Sequence, residues 1–165
     1  MTIIVKNKET LLYDDFKFNC SIGKKGSSRN KKEGDGKTPK GLFDLGCIYY
    51  RADRVPKPIS KLDKVIIKKN MGWCDDSKSK YYNKLIKIKK NLKVSYEKLF
   101  RNDNKYDCLI LIKYNYKKTI KKKGSAIFLH LTKNYLPTKG CVALRKKDFL
   151  ILCKLINKKT KIKII

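Results

Sequence analysis

Short apolar or alternating runs recur along the chain at residues 2–5, 11–18, 42–50, 64–67, 85–88, 108–114, 126–131 and 160–165, with turn-forming residues between them. A period of two puts successive side chains on opposite faces of a pleated strand, so this pattern predicts a mainly β fold. Cys108-Leu109-Ile110-Leu111-Ile112 is apolar without alternation, as a central strand covered on both faces requires. Ala126-Ile127-Phe128-Leu129 has the same character. With 165 residues there is length for one domain with a real core but not for two independent ones, so residues 1–165 read as a single unit with at most one active site.

Helices are minor elements in this reading. One is expected to open at Ser95 as N-cap, and another spans 146–157, where Phe149, Leu152, Cys153 and Ile156 repeat at helical spacing. Between Gly23 and Gly41 the chain holds five glycines with Ser27, Ser28 and Pro39, which is a loop composition.

The formal net charge is +29, from 43 Lys and Arg against 14 Asp and Glu. Such a field attracts polyanions, and nucleic acid is the first partner to weigh. Only Arg29, Arg51, Arg54, Arg101 and Arg145 carry the bidentate fork that reads bases and grips phosphates. The excess is lysine spread end to end, and Lys, Asn and Ile share A/T-rich codons. Genome composition therefore accounts for the charge without a specific nucleic acid. A basic module with Tyr81-Tyr82 or Tyr114-Asn115-Tyr116 as stacking residues stays open as the rival. No basic segment followed by 7–15 apolar residues opens the chain, so no secretory signal is visible. No apolar run approaches the ~20 residues that span a bilayer.

Six cysteines, Cys20, Cys47, Cys74, Cys108, Cys141 and Cys153, are scattered without a C-x-x-C, a pattern that favours neither a disulfide framework nor a zinc site. Cys108 and Cys153 lie in apolar surroundings and read as buried free thiols. Cys141 differs. It follows glycine in the turn Pro137-Thr138-Lys139-Gly140-Cys141, eleven residues after His130, which is the only histidine and ends an apolar run. A cysteine nucleophile needs a base within reach, and a glycine beside it lets substrate and backbone N–H groups approach. Those N–H groups could stabilise the oxyanion of a tetrahedral intermediate.

Phe128-Leu129-His130 followed by Thr138-Lys139-Gly140-Cys141-Val142 resembles the His … Ser/Thr-x-Gly-Cys signature of the L,D-transpeptidases. Upstream, Gly36-Lys37-Thr38-Pro39-Lys40-Gly41-Leu42-Phe43 is similar to the same family's Thr-Pro-x-Gly-x-Phe motif, and Trp73-Cys74-Asp75-Asp76 … Tyr82-Asn83 resembles one of its subgroups. The resemblance covers roughly residues 20–155.

It implies a mainly β sandwich or barrel catalytic domain with a few short helices, working without metal or cofactor on peptidoglycan stem peptides in the bacterial cell envelope, in cell-wall biogenesis and cell shape. Cys141 would attack after the third stem residue, meso-diaminopimelate, and hold the acyl group as a thioester. His130 would take its proton, and Gly140 and Cys141 would present backbone donors. A protonated His130 and Lys139 would lower the Cys141 pKa. The Gly23–Gly41 loop would border the cleft, with Phe43 buried and Lys37 exposed. Thr138 and Lys139 would line the substrate site, and Asp75 and Asp76 would hold the diaminopimelate ammonium with Trp73 as a wall. Lys139 stands where many members have histidine, and Ala143 where arginine is common, so Arg145 is the expected replacement for that cation.

Overall fold

The computed structural model describes residues 1–165. The chain runs β1 (Thr2–Val5), β2 (Thr10–Tyr13), β3 (Phe16–Asn19), β4 (Ser27–Ser28), β5 (Thr38–Pro39), β6 (Gly41–Tyr50), β7 (Lys64–Ile66) and β8 (Met71–Cys74). It continues through β9 (Leu85–Lys87), β10 (Tyr96–Lys98), β11 (Cys108–Ile112), β12 (Phe128–Thr132), β13 (Val142–Arg145), α1 (Lys146–Leu155) and β14 (Lys161–Ile164). The fold is mainly β, as the alternation predicts, with a single helix. No helix is long and apolar enough to cross a membrane.

The large sheet has the order β13-β12-β11-β6-β14-β1-β2-β3, with β7 paired to β6. Its two ends meet. Ser21, just past β3, exchanges backbone hydrogen bonds with Ala143 of β13 at 2.9 and 2.8 Å, so the sheet is nearly closed. Closure removes the exposed edges that β13 and β3 would otherwise present.

The unbroken apolar run of β11 is explained by burial on both faces. Cys108, Ile110 and Ile112 enter the larger core with Leu129, Val142 and Leu144, whereas Leu109 and Leu111 enter a second core with Trp73, Phe128 and Cys141. The predicted helix at 146–157 is α1, whose Phe149, Leu152 and Cys153 are buried in the larger core.

Two local expectations are corrected. The run 11–18 is a hairpin, β2 and β3, turning at Asp14 with φ 53°. No helix opens at Ser95. Residues 96–98 instead form β10, paired antiparallel with β8. An isolated helix this short is marginal in water, and β8 offers a ladder of backbone partners beside Trp73, so tertiary pairing overrides the capping signal.

Candidate active site

The register of β12 and β13 fixes the centre of the site. The strands are parallel, with Leu129 opposite Val142 and His130 opposite Ala143. Leu129 and Val142 face the larger core, so Phe128 and His130 face the second one by alternation, as Cys141 does. Cys141 and His130 are thus one strand and two residues apart on the same face, roughly 8 Å between Cα atoms from ordinary strand spacing and rise. Both border one cleft of about 1130 Å³.

The thiol is held by backbone. Phe128 donates its N–H to Cys141 Sγ at 3.4 Å, and the thiol faces the carbonyl oxygen of Ala126 at 3.3 Å. Ala126 adopts φ 53°, a left-handed conformation that costs a non-glycine residue of order 1 kcal/mol, and its N–H is tied to Asn83 Oδ1 at 3.1 Å. That side chain also anchors the buried Trp73 indole at 2.9 Å.

Burial pushes the Cys141 thiol up to about 12, helped by the nearby Glu97 carboxylate; the Phe128 N–H, Lys31 and Tyr106 pull the other way. His130 is pushed down to about 4, chiefly by burial, and its hydrogen bond to Leu131 only partly opposes this. The resting pair is therefore neutral thiol and neutral imidazole. The expected thiolate beside a protonated His130 is not the resting state, because the second core desolvates both groups. Nδ1 lies 2.9 Å from the Leu131 carbonyl oxygen, which can only accept, so Nδ1 carries the proton and Nε2 keeps its lone pair.

The turn before Cys141 is tightly clasped. Thr138 Oγ1 donates to the Cys141 carbonyl at 2.6 Å and accepts the Gly140 N–H at 3.1 Å, so this hydroxyl is engaged within the turn although Thr138 lines the cleft. Gly140 adopts φ 147°, and a Cβ there would lie 2.9 Å from the Lys37 carbonyl oxygen. The Gly23–Gly41 loop thus presses directly on the Gly140-Cys141 turn and borders the cleft, as expected, with Thr38 Oγ1 3.5 Å from the Cys141 carbonyl. Two details differ from expectation: Phe43 is only half-buried against the larger core, and Lys37 is half-buried instead of exposed. Because the Gly140 N–H is turned to Thr138, the unengaged backbone donor in this turn is that of Cys141 itself.

The remaining sequence candidates separate. Lys139 is exposed at the cleft rim. Asp75 lines the cleft with Oδ1 buried and unpartnered, whereas Asp76 lies outside it and caps a turn by accepting the Lys78 N–H at 2.9 Å. Trp73 is 1 % exposed and stacks edge-on against Phe128 at 5.2 Å, so it supports β12 from within the core and is no wall for a ligand. Arg145 does not line the cleft; its guanidinium lies over the Tyr135 ring at 5.1 Å, so it does not stand in for a cation at position 143. Ala143 is fully buried where the sheet closes on Ser21.

Three cleft residues carry no motif in the sequence. Tyr106 packs 5.4 Å from the His130 ring and donates to Glu97 Oε1 at 2.6 Å. Burial raises the Glu97 pKa against the pull of that hydroxyl and of Arg101. The loop bearing Tyr106 is held by Arg51, which donates to the Arg101 carbonyl at 2.7 Å, and by Arg54, which pairs with Asp107 at 3.1 Å. The third, Lys31, is a buried lysine in the cleft wall. Its only sequence signal is an aspartate four residues on, common in so charged a chain.

With this geometry in place, comparison with known families shows that the YkuD model, L,D-transpeptidase catalytic domain, matches residues 1–164. No curated protein matches the chain.

Proposed function

Because the chain belongs to the L,D-transpeptidase catalytic domain family, and so is a transpeptidase-type enzyme with peptidoglycan as its implied substrate, we propose that residues 1–165 form one catalytic unit working through a thioester on Cys141 with His130 as base. The observation that carries this reading is the placement of the only histidine and one cysteine on a shared face of adjacent strands, at the wall of one cleft.

The donor is a stem peptide, cleaved after its diaminopimelate residue. Its carbonyl carbon meets Cys141 Sγ while His130 Nε2 takes the thiol proton. The carbon–sulfur bond forms, and the carbonyl electron pair moves onto oxygen. Collapse of this intermediate expels the amine of the following residue, which leaves with the proton from Nε2. A second amine then attacks the thioester, giving its proton to His130, and the thiol returns. Proton transfer during attack suits a neutral resting pair, since it needs no standing thiolate.

Asp75 is the residue we assign to the diaminopimelate ammonium, since its buried Oδ1 has no partner within the protein. Peptidoglycan as substrate puts the work in the cell envelope. Water in place of the second amine makes the same site an L,D-carboxypeptidase, because acceptor choice depends on pocket shape and water exclusion.

Incubating the enzyme with tetrapeptide stems, with and without an amine acceptor, and weighing the products tests the reading. Crosslinked or amine-exchanged product supports transpeptidation, tripeptide alone supports the carboxypeptidase, and unchanged tetrapeptide in both arms removes the proposal.

A further inference from the structure

Lysine covers the surface of this protein, yet Lys31 is the one buried lysine, 5 % exposed. Removing an ammonium from water costs several kcal/mol unless its hydrogens find partners. Lys31 Nζ donates to Asp35 Oδ1 at 2.7 Å and to the Lys32 carbonyl at 3.2 Å. An ammonium has three donors, so one is left over.

The place of that ammonium is built by two glycines. A Cβ on Gly124 would come within 2.9 Å of Lys31 Cε, and one on Gly140 would lie 3.5 Å from Nζ. The lysine stem therefore fills the space that Gly124 leaves, and its charged end rests beside the residue preceding the nucleophile. Its ion pair with Asp35 explains how the 31–37 loop is folded. It does not explain why the ammonium itself is set in the cleft wall next to Gly140.

A tetrahedral oxyanion is best held by two or more preorganised donors. The Cys141 N–H is free, but the Gly140 N–H is committed to Thr138. The hole is one donor short of a pair. We propose that the Lys31 ammonium is that missing donor: its third N–H stabilises the oxyanion formed when Cys141 attacks a carbonyl. This rests on Cys141 being the nucleophile. In that step the carbon–sulfur bond forms and the carbonyl π pair moves to oxygen, the thiol proton goes to His130, and Lys31 keeps all its protons. A fixed positive charge fits this site better than a neutral donor, because the surrounding Glu97 and the burial of Cys141 both disfavour negative charge.

The test compares two reactions of the same thiol in the full chain. Acylation by imipenem passes through a carbonyl oxyanion, whereas alkylation by iodoacetamide displaces iodide and forms none. Both are followed at Cys141 by mass spectrometry in wild type and Lys31→Met, which keeps the stem against Gly124 and removes the charge. Acylation is expected to fall roughly 10²–10³-fold, the usual loss for one oxyanion donor, and alkylation far less. Where Lys31→Met alone loses the wild-type melting transition, the double variant with Asp35→Asn removes the stranded carboxylate and is measured instead. An acylation deficit within about tenfold of the alkylation deficit overturns the proposal, because Lys31 then acts only on thiol ionisation or on folding. A wild-type chain alkylated but never acylated at Cys141 removes the nucleophile assignment itself, and this proposal with it.

Discussion

Phe128 donates its backbone N–H to the sulfur of Cys141 at 3.4 Å, so the strand that carries His130 also positions the Cys141 thiol. The proposed pair needs no direct hydrogen bond at rest, because a shared strand pair fixes its separation. Packing beneath Phe128 thereby bears on the chemistry: Trp73 and Tyr106 lie 5.2 and 5.9 Å from its ring.

Cys141→Ala is expected to abolish both acyl adduct and turnover. His130→Gln should leave the fold intact and slow acylation by roughly 10²–10⁴, the range for a lost general base. Stopped-flow acylation with intact-mass detection measures both. An adduct on any of the other five cysteines, or an unaltered His130→Gln rate, would falsify the pairing.

The acid limb of kcat/KM should lie near pH 4 instead of near 6.5, since burial lowers the His130 pKa to about 4 and only neutral Nε2 accepts a proton. Alkylation of Cys141 in the free enzyme should still be rising tenfold per pH unit at pH 9, because the thiol is pushed up to about 12. A plateau in alkylation below pH 8 would mean a standing thiolate, contrary to this structure.

His130 also couples stability to pH. Its folded pKa is depressed, so between about 4 and 6.5 the unfolded chain binds more protons than the folded one. Stability from this group is fully present above pH 6.5 and is lost as pH falls toward 4, by an amount of about 3 kcal/mol at 1.36 kcal/mol per unit. Urea midpoints of wild type should fall over that window more steeply than those of His130→Gln. Parallel curves would show that the imidazole is not desolvated as described.

Gly140→Ala should destabilise the protein by roughly 1–3 kcal/mol through backbone strain, with a further cost from the Lys37 carbonyl 2.9 Å from the new Cβ. Thermal melts report the loss. Acylation should suffer more than stability predicts, because the turn carries the proposed nucleophile, and a variant as stable and as active as wild type would contradict the close packing described.

Asp75→Asn is expected to raise KM for stems with a free diaminopimelate amine and to leave unchanged KM for stems whose amine is acetylated. Equal effects on both substrates would remove Asp75 from the ammonium contact.

Much of this protein is local, and hence legible in the chain itself. The period-two runs, the doubly covered β11, the apolar stripe of α1 and the Gly-Cys turn after a lone histidine are all short-range patterns set by pleat and helix geometry. Ser95 shows where local signals end: a plausible cap was overridden by pairing with β8, since a neighbouring strand satisfies more backbone than a short helix can. Tertiary structure alone decided the electrostatics. Nothing in Lys31, Glu97 or Tyr106 marks them out among their neighbours in sequence, and Asp75 and Asp76 are alike until folding buries one oxygen and leaves the other residue capping a turn. Charge acts through space and through the water that burial removes. The ionisation of Cys141 and His130, and the burial of Lys31 beside Gly140, therefore arise only when segments more than a hundred residues apart close around one cleft.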